Sequence, residues 1–365
     1  MSKITAALLA ATLAGPAAAQ SPDSSKALTV EKLAEGIYLF RAPSSLDLWT
    51  ATNSVVIIGD RDVVVFDSFT RAVTARMAIA EIRKLTDKPV STVINSHWHQ
   101  DHWSGNGEFL KAFPGIQIIS TTGARDYMRR MPGAFYARGL ARSVRSARAA
   151  LDSAVRTGKL ADGTPLTAEA RRAREQDIEE TSAFDAEVRA LTRVFPDVTF
   201  NDSLVLYRGR REIRLFSGTG DATASTIMFL PKEKILVMGD ALVAREDGSG
   251  SPPWTTNSYA ITPWLETLRR VDALDASIIV PGQGKAFHDE QYLETTIDVF
   301  AAVIEQVHKG LEQGLVEFNA VLATVDVDAI GRRYRPDGSL PSGFRAWVAV
   351  LARKVYQEAL DGVAP

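Results

Sequence analysis

No cysteine occurs anywhere in the 365 residues. A disulfide framework is therefore excluded, the fold must stand on its apolar core, and any metal site must be assembled from histidine, aspartate, glutamate or amide groups. The same absence argues against a lipid anchor. Charge of one sign is not in excess either. A formal net charge of -2 and a pI near 6.3 give no global reason to expect nucleic acid or an anionic membrane as partner. Apolar runs long enough to cross a bilayer are missing, as are a phosphate-cradling glycine loop and a serine nucleophile motif. What remains is a chain with 45% hydrophobic residues, enough to bury one large domain or two ordinary ones.

The N-terminal MSKITAALLAATLAGPAAAQS carries a lysine, a short apolar block and then the small-residue run Ala17, Ala18, Ala19. That order predicts a secretory signal peptide over residues 1–19, cut before Gln20, and hence a periplasmic or secreted protein. One globular domain is expected over 28–365. Its first part alternates strand and helix: β-rich runs at 36–42, 53–60 and 62–68, with Gly59-Asp60 as a hairpin signal, then helical spacing over 71–85 and a β-branched run at 90–97. From about 124 to 194 the chain turns Ala- and Arg-rich, with ADGTP (161–165) as a turn between two helical segments. This predicts a helical insertion. Residues 125 to 159 hold nine Lys/Arg against two acids, which is either a solvated helix face or a cationic lid over an anionic substrate. Strands resume over 202–218, 225–240 and 277–284. Amphipathic stretches at 262–274, 290–312 and 342–360 predict helices on the outside of a sheet.

Three of the five histidines fall in one stretch, NSHWHQDHWSGN (95–106), directly after the β-branched run. His97 and His99 sit two apart at the strand end, and Asp101 and His102 follow on the turn. Such a density of imidazole and carboxylate is what two neighbouring metal positions require, and histidines with purely structural roles rarely cluster so closely. Trp98, Trp103, Trp254 and Tyr259 are either the walls of a substrate pocket or core and rim packing.

With Asp67 closing an early strand, the NSHWHQDHWSGN loop, PKEKILVMGD ending in Asp240, and the VPGQG turn, the chain resembles the metallo-β-lactamase fold superfamily. The resemblance implies an α/β fold, a four-layer αββα sandwich with a helical insertion and C-terminal helices, and two metal positions at one edge of the paired sheets. It implies that His97 and His99 serve the first metal, Asp101 and His102 the second, and that Asp240 bridges both. Two positions depart from the family pattern. Asp221 stands where a third histidine of the first position is usual, and Gln283 where a histidine of the second is usual. A carboxylate suits zinc, iron or manganese, whereas a neutral amide oxygen is a poor zinc ligand. The first position is thus expected to hold metal better than the second, with zinc first in order and iron or manganese as alternatives; His288 is a candidate substitute ligand.

The function so implied is a periplasmic metal-dependent hydrolase. Water activated by the metal, oriented by Asp101 as proton shuttle, would attack a carboxylic ester, lactone, lactam or related sulfur ester. The alternative is a binding or scaffold protein that kept the fold and lost catalysis through Asp221 and Gln283. The expected partner is a small molecule, anionic if the basic helices form a lid; neither nucleic acid nor a membrane anchor is expected.

Overall fold

The computed structural model describes residues 27–42, 52–131, 135–244, 250–251, 260–335, 337–341 and 343–362. The stretch 1–19 expected to be a signal peptide, Trp254 and Tyr259 lie outside these residues. The first half runs β1 (Thr29–Ala34), β2 (Ile37–Arg41), β3 (Asn53–Ile58), β4 (Val63–Phe66), α1 (Ala72–Leu85), β5 (Val90–Ile94), α2 (Gln100–Trp103), α3 (Asn106–Ala112), β6 (Gln117–Thr121), α4 (Thr122–Arg130), α5 (Phe135–Thr157), α6 (Ala168–Ala190) and β7 (Val198–Phe200). The second half runs β8 (Ser203–Arg208), β9 (Arg211–Gly218), β10 (Ser225–Leu230), β11 (Ile235–Gly239), the short pair β12 (Val243–Ala244) and β13 (Gly250–Ser251), α7 (Ile261–Asp272), β14 (Ile278–Pro281), α8 (Gln291–Glu312), α9 (Phe318–Leu322), α10 (Val327–Tyr334) and α11 (Phe344–Leu360).

Two sheets form, with strands β1 to β7 in sequence order in one and β14-β11-β10-β9-β8 in the other. The inner strands β3, β4, β5, β10 and β11 are buried almost throughout and read as apolar runs because both faces are covered. Inward-facing Leu39, Val55, Phe66 and Ile94 meet Leu215, Met228, Val237 and Val280 between the sheets. Outward-facing Val56, Val65 and Val93 pack under α1 and α3 through Ala78, Ile82 and Phe109. On the far side Phe229, Leu236 and Ile279 pack under α7, α8 and α11 through Trp264, Phe300 and Leu351. Each such buried side chain contributes about 1.5–3 kcal/mol of transfer free energy. The result is the four-layer αββα sandwich.

Strand direction decides where chemistry can collect. The pairs β4–β5 and β11–β14 are parallel, so within each pair the C-terminal ends emerge at the same edge. Asp67, the histidine loop, Asp240 and the 281–284 turn all follow those ends. The β9–β10 hairpin, with Gly218 paired to Ser225, brings residues 219–224 to the site as well. The Thr226 backbone N–H donates to the Ser96 carbonyl across the sheets, tying this hairpin to the histidine loop.

The insertion is a pair of long helices, α5 and α6, joined by a turn in which Leu160 N donates to Thr164 O at 2.7 Å. Thr167 caps α6, its side chain accepting from Ala170 N. Leu140 of α5 packs on Phe184 and Val188 of α6. Glu187 fastens the hairpin to the body, pairing with Arg71 at 2.6 Å and accepting from Ala72 N at 3.0 Å. Besides β6 and the short pair β12–β13, two strands of the larger sheet had no counterpart in the sequence reading. β1 (TVEKLA) is an exposed edge strand with charged residues, and β7 has only three residues; neither length nor pattern marks them.

Candidate metal centre

The histidine loop closes on itself before it offers anything to a metal. Asn95 and Asn106, the ends of the stretch, exchange side-chain hydrogen bonds of 3.1 and 2.9 Å, and Ser68 donates to Asn106 at 2.8 Å. Gly105 is required here, since a Cβ would lie 1.9 Å from the Ser68 carbonyl oxygen. The loop then turns through α2, whose four residues are all buried.

Two groups of ligand atoms result: His97, His99, Asp221 and Asp240 in one, Asp101, His102 and Asp240 in the other, each within 4.8 Å of one another. In the first, His99 Nδ1 stands 3.2 Å from Asp221 Oδ2, and His97 Nε2 stands 3.8 Å from Asp221 Oδ1 and 4.0 Å from Asp240 Oδ2. In the second, His102 Nε2 lies 3.1 Å from Asp101 Oδ2 and 3.3 Å from Asp240 Oδ2. Asp240 faces both groups.

Asp67 sets the imidazole tautomers. Its carboxylate accepts from His102 Nδ1 at 2.7 Å, from Ser96 N at 2.7 Å and from Ser96 Oγ at 2.7 Å. With its proton given to Asp67, Ser96 Oγ accepts from His97 Nδ1 at 2.9 Å. Both Nδ1 atoms therefore carry hydrogen; the His97 Nε2 is bare, while the His102 Nε2 stands between Asp101 and Asp240, where a proton or a cation is favoured. These Nε2 atoms, and Asp240 Oδ1, are buried without a hydrogen-bond partner. Lone pairs withdrawn from water and left unmatched cost free energy, and a divalent cation is the species that two imidazoles and several carboxylates jointly match. The residues present fit a metal.

Electrostatics agree with that donor set. Burial, reinforced by His102 and His99, holds His97 well below the usual imidazole range. Burial also pushes Asp221 up to about 6 against the pull of His99. For His102 burial works downward, yet Asp101, Asp240 and Asp67 outweigh it and raise it well above the ordinary value. Asp101 is lowered, its burial overcome by His102 and the other two imidazoles. Without a metal, protons take the places that the carboxylates would share with a cation.

Gln283 is held from the opposite sheet. Thr52 forms an antiparallel bridge with it, and Asn53 Nδ2 donates to Pro281 O at 2.8 Å and Gly284 O at 2.9 Å. Gln283 Nε2 donates to Asp240 Oδ2 at 3.3 Å; a carboxylate only accepts, so the amide must turn its NH2 toward it. Gly282 makes room, because a Cβ there would sit 1.9 Å from Asp240 Oδ1. Thr52 Oγ1 donates to Asp101 Oδ2 at 3.2 Å. Thr52, Asn53 and Ser96 were missed from sequence, although the polar opening of the apolar run TNSVVII was a visible signal for the first two and Ser96 stands directly before His97.

A family model described as the metallo-beta-lactamase superfamily matches residues 47–283. The chain belongs to this superfamily. Among similar solved structures, the metallo-β-lactamase of Pontibacter korlensis is 16% identical with a TM-score of 0.50, over 75% of this chain and 99% of that one. VMB-1 is 16% identical with a TM-score of 0.51, over 76% of this chain and 98% of that one. At such identities the likeness concerns the fold. A linear primary-alkylsulfatase from a Pseudomonas species is 22% identical over 268 residues, 69% of this chain and 46% of that protein. The chain thus spans less than half the length of that curated relative.

Other residues singled out from sequence lie elsewhere. His288 is 65% exposed and 3.9 Å from Glu31, a surface histidine. Trp98 and Trp103 are buried; Trp98 stacks on Tyr127 at 5.7 Å and meets the His99 ring edge-on at 4.2 Å.

Proposed function

We propose that this member of the superfamily is a metal-dependent hydrolase of a small ester-type substrate: a carboxylic ester, lactone, lactam or sulfate ester. The observation that carries the reading is the convergence of His97, His99, Asp221 and Asp240, with His97 Nε2 and Asp240 Oδ1 buried and without a hydrogen-bond partner. His97, His99, Asp221 and Asp240 would hold the first metal, and Asp101, His102 and Asp240 a weaker second. A bound divalent metal supplies Lewis acidity and lowers the pKa of water to about 7. The chain's own contributions are positional. Asp67 and Ser96 fix the two imidazoles, Thr52 fixes Asp101, and Asp101 orients the attacking water and carries its proton. Zinc comes first, with iron and manganese as alternatives, because the donor set mixes imidazole and carboxylate.

The alkylsulfatase relative puts primary alkyl sulfates beside β-lactams, lactones and carboxylic esters in the assay panel. Turnover of one class, lost on chelation and restored by metal, is the expected result. A metal-loaded protein inert to all four would favour the second reading, a fold retained for binding, to which the Gln283 amide on Asp240 points. Export to the periplasm is proposed on the order of charge, apolar block and small residues at the N-terminus.

A further inference from the structure

A pocket of about 340 Å³ lies beside α2, away from the metal-binding groups. Gln100, Trp103 and Ser104 line one wall; Arg189, Leu191 and Arg193, at the end of α6 and just after it, line another. None of the seven metal-site residues borders it. The short α2 segment therefore serves two spaces, giving Asp101 and His102 to one and its neighbours to the other.

The pocket is built for charge. Ser104 is 6% exposed, and among the described residues its hydroxyl has no hydrogen-bond partner. Arg193 is immobilised: Nη2 donates to the Met128 and Met131 carbonyls, and the guanidinium lies over Trp103 at 5.5 Å and Phe195 at 4.9 Å. Its Nε is buried without a hydrogen-bond partner. Arg189 adds a second cation, paired at 3.0 Å with Asp185 one turn back on its own helix. No carboxylate lines the pocket. The apolar part of the lining comes from Trp103, Val188 and Leu191. A pre-fixed guanidinium loses little freedom on binding, and the volume is in the range of small-molecule sites.

We propose that this pocket is a second ligand site, which takes a small amphiphilic anion: a carboxylate, sulfate or sulfonate head at Arg193, Arg189 and the Ser104 hydroxyl, and a short apolar body against Trp103 and Leu191. The site stands independently of the hydrolase reading. A bare inorganic anion would leave the apolar wall unfilled, and a neutral alcohol would leave the Arg193 charge uncompensated.

The test is calorimetric titration of the full-length protein, as purified, with hexane-1-sulfonate, inorganic sulfate and hexan-1-ol. One saturable sulfonate site is expected, with sulfate at least about tenfold weaker and the alcohol silent. Leu191→Trp, which fills the pocket, should abolish binding, and Ser104→Ala should weaken it about tenfold. Asp221→Ala should leave it intact, because the metal centre is a separate space. Should Leu191→Trp fail to fold by circular dichroism, Ser104→Ala decides. Absence of saturable binding, unchanged affinity in Ser104→Ala, or loss of binding in Asp221→Ala would overturn the proposal; the last would put the anion in the metal centre.

Discussion

At the scale of single residues, the proposed centre depends on groups outside the two sets of candidate ligands. Ser96 bridges Asp67 and His97 and so couples the imidazoles of the two positions. Ser96→Ala removes that bridge and should weaken metal binding about 10–100-fold, measured by competition with a chromophoric chelator. Unchanged affinity would mean that Asp67 alone orients the site. Gly282→Ala places a methyl group on Asp240 Oδ1; overpacking of this kind costs about 1–3 kcal/mol and should lower both Tm and metal content. Acid should act through Asp221. Burial raises its carboxyl to about 6, and only the carboxylate binds metal, so affinity should fall as pH drops through about 6 and protons compete. The raised His99 works in the same direction, since it too must lose a proton. A flat affinity between pH 5 and pH 7 would contradict this.

At the scale of elements, α5 poses the question of the basic insertion. Arg138, Arg142, Arg145, Arg148 and Arg156 are all exposed, while Leu140, Leu151 and Ala154 are buried. The helix thus packs one face and shows its charge on the other. If that charge steers substrate, reversing Arg142, Arg145 and Arg148 together should lower kcat/KM for anionic substrates only and flatten its dependence on salt, because exposed charges are screened beyond about 8–10 Å. Equal losses for anionic and neutral substrates would reduce the arginines to a solvated face. The long helices and the apolar strands were legible because burial imposes a period on them. The helix α2 was not, since four residues hold no period, and neither was the amide donor role of Gln283. Its partner Asp240 is 43 residues away in sequence, and only the parallel pairing of β11 with β14 brings them together.

At the scale of the whole molecule, the sandwich could be read from sequence because motif order and strand order coincide: Asp67, the histidine loop, Asp240 and the 281–284 turn each follow a strand whose C-terminal end reaches one edge. Relations across the two sheets, such as Asn53 holding the Gln283 turn, could not be read, because nothing local in the chain encodes them. The proposed export also concerns the whole chain. Protein recovered from the periplasm should begin at or near Gln20 by intact mass, and a mass retaining Met1 would contradict a cleaved leader. The central claim is that the two metal positions are completed unequally, the first by the Asp221 carboxylate and the second left with a neutral amide that donates to Asp240. Metal content per chain, measured by mass spectrometry after dialysis against trace zinc or manganese, tests it most directly. The account predicts close to one metal in the wild type, loss of most of it in Asp221→Ala, little change in Gln283→Ala, and a rise toward two in Gln283→His; two tightly held metals in the wild type, or no loss in Asp221→Ala, would contradict it.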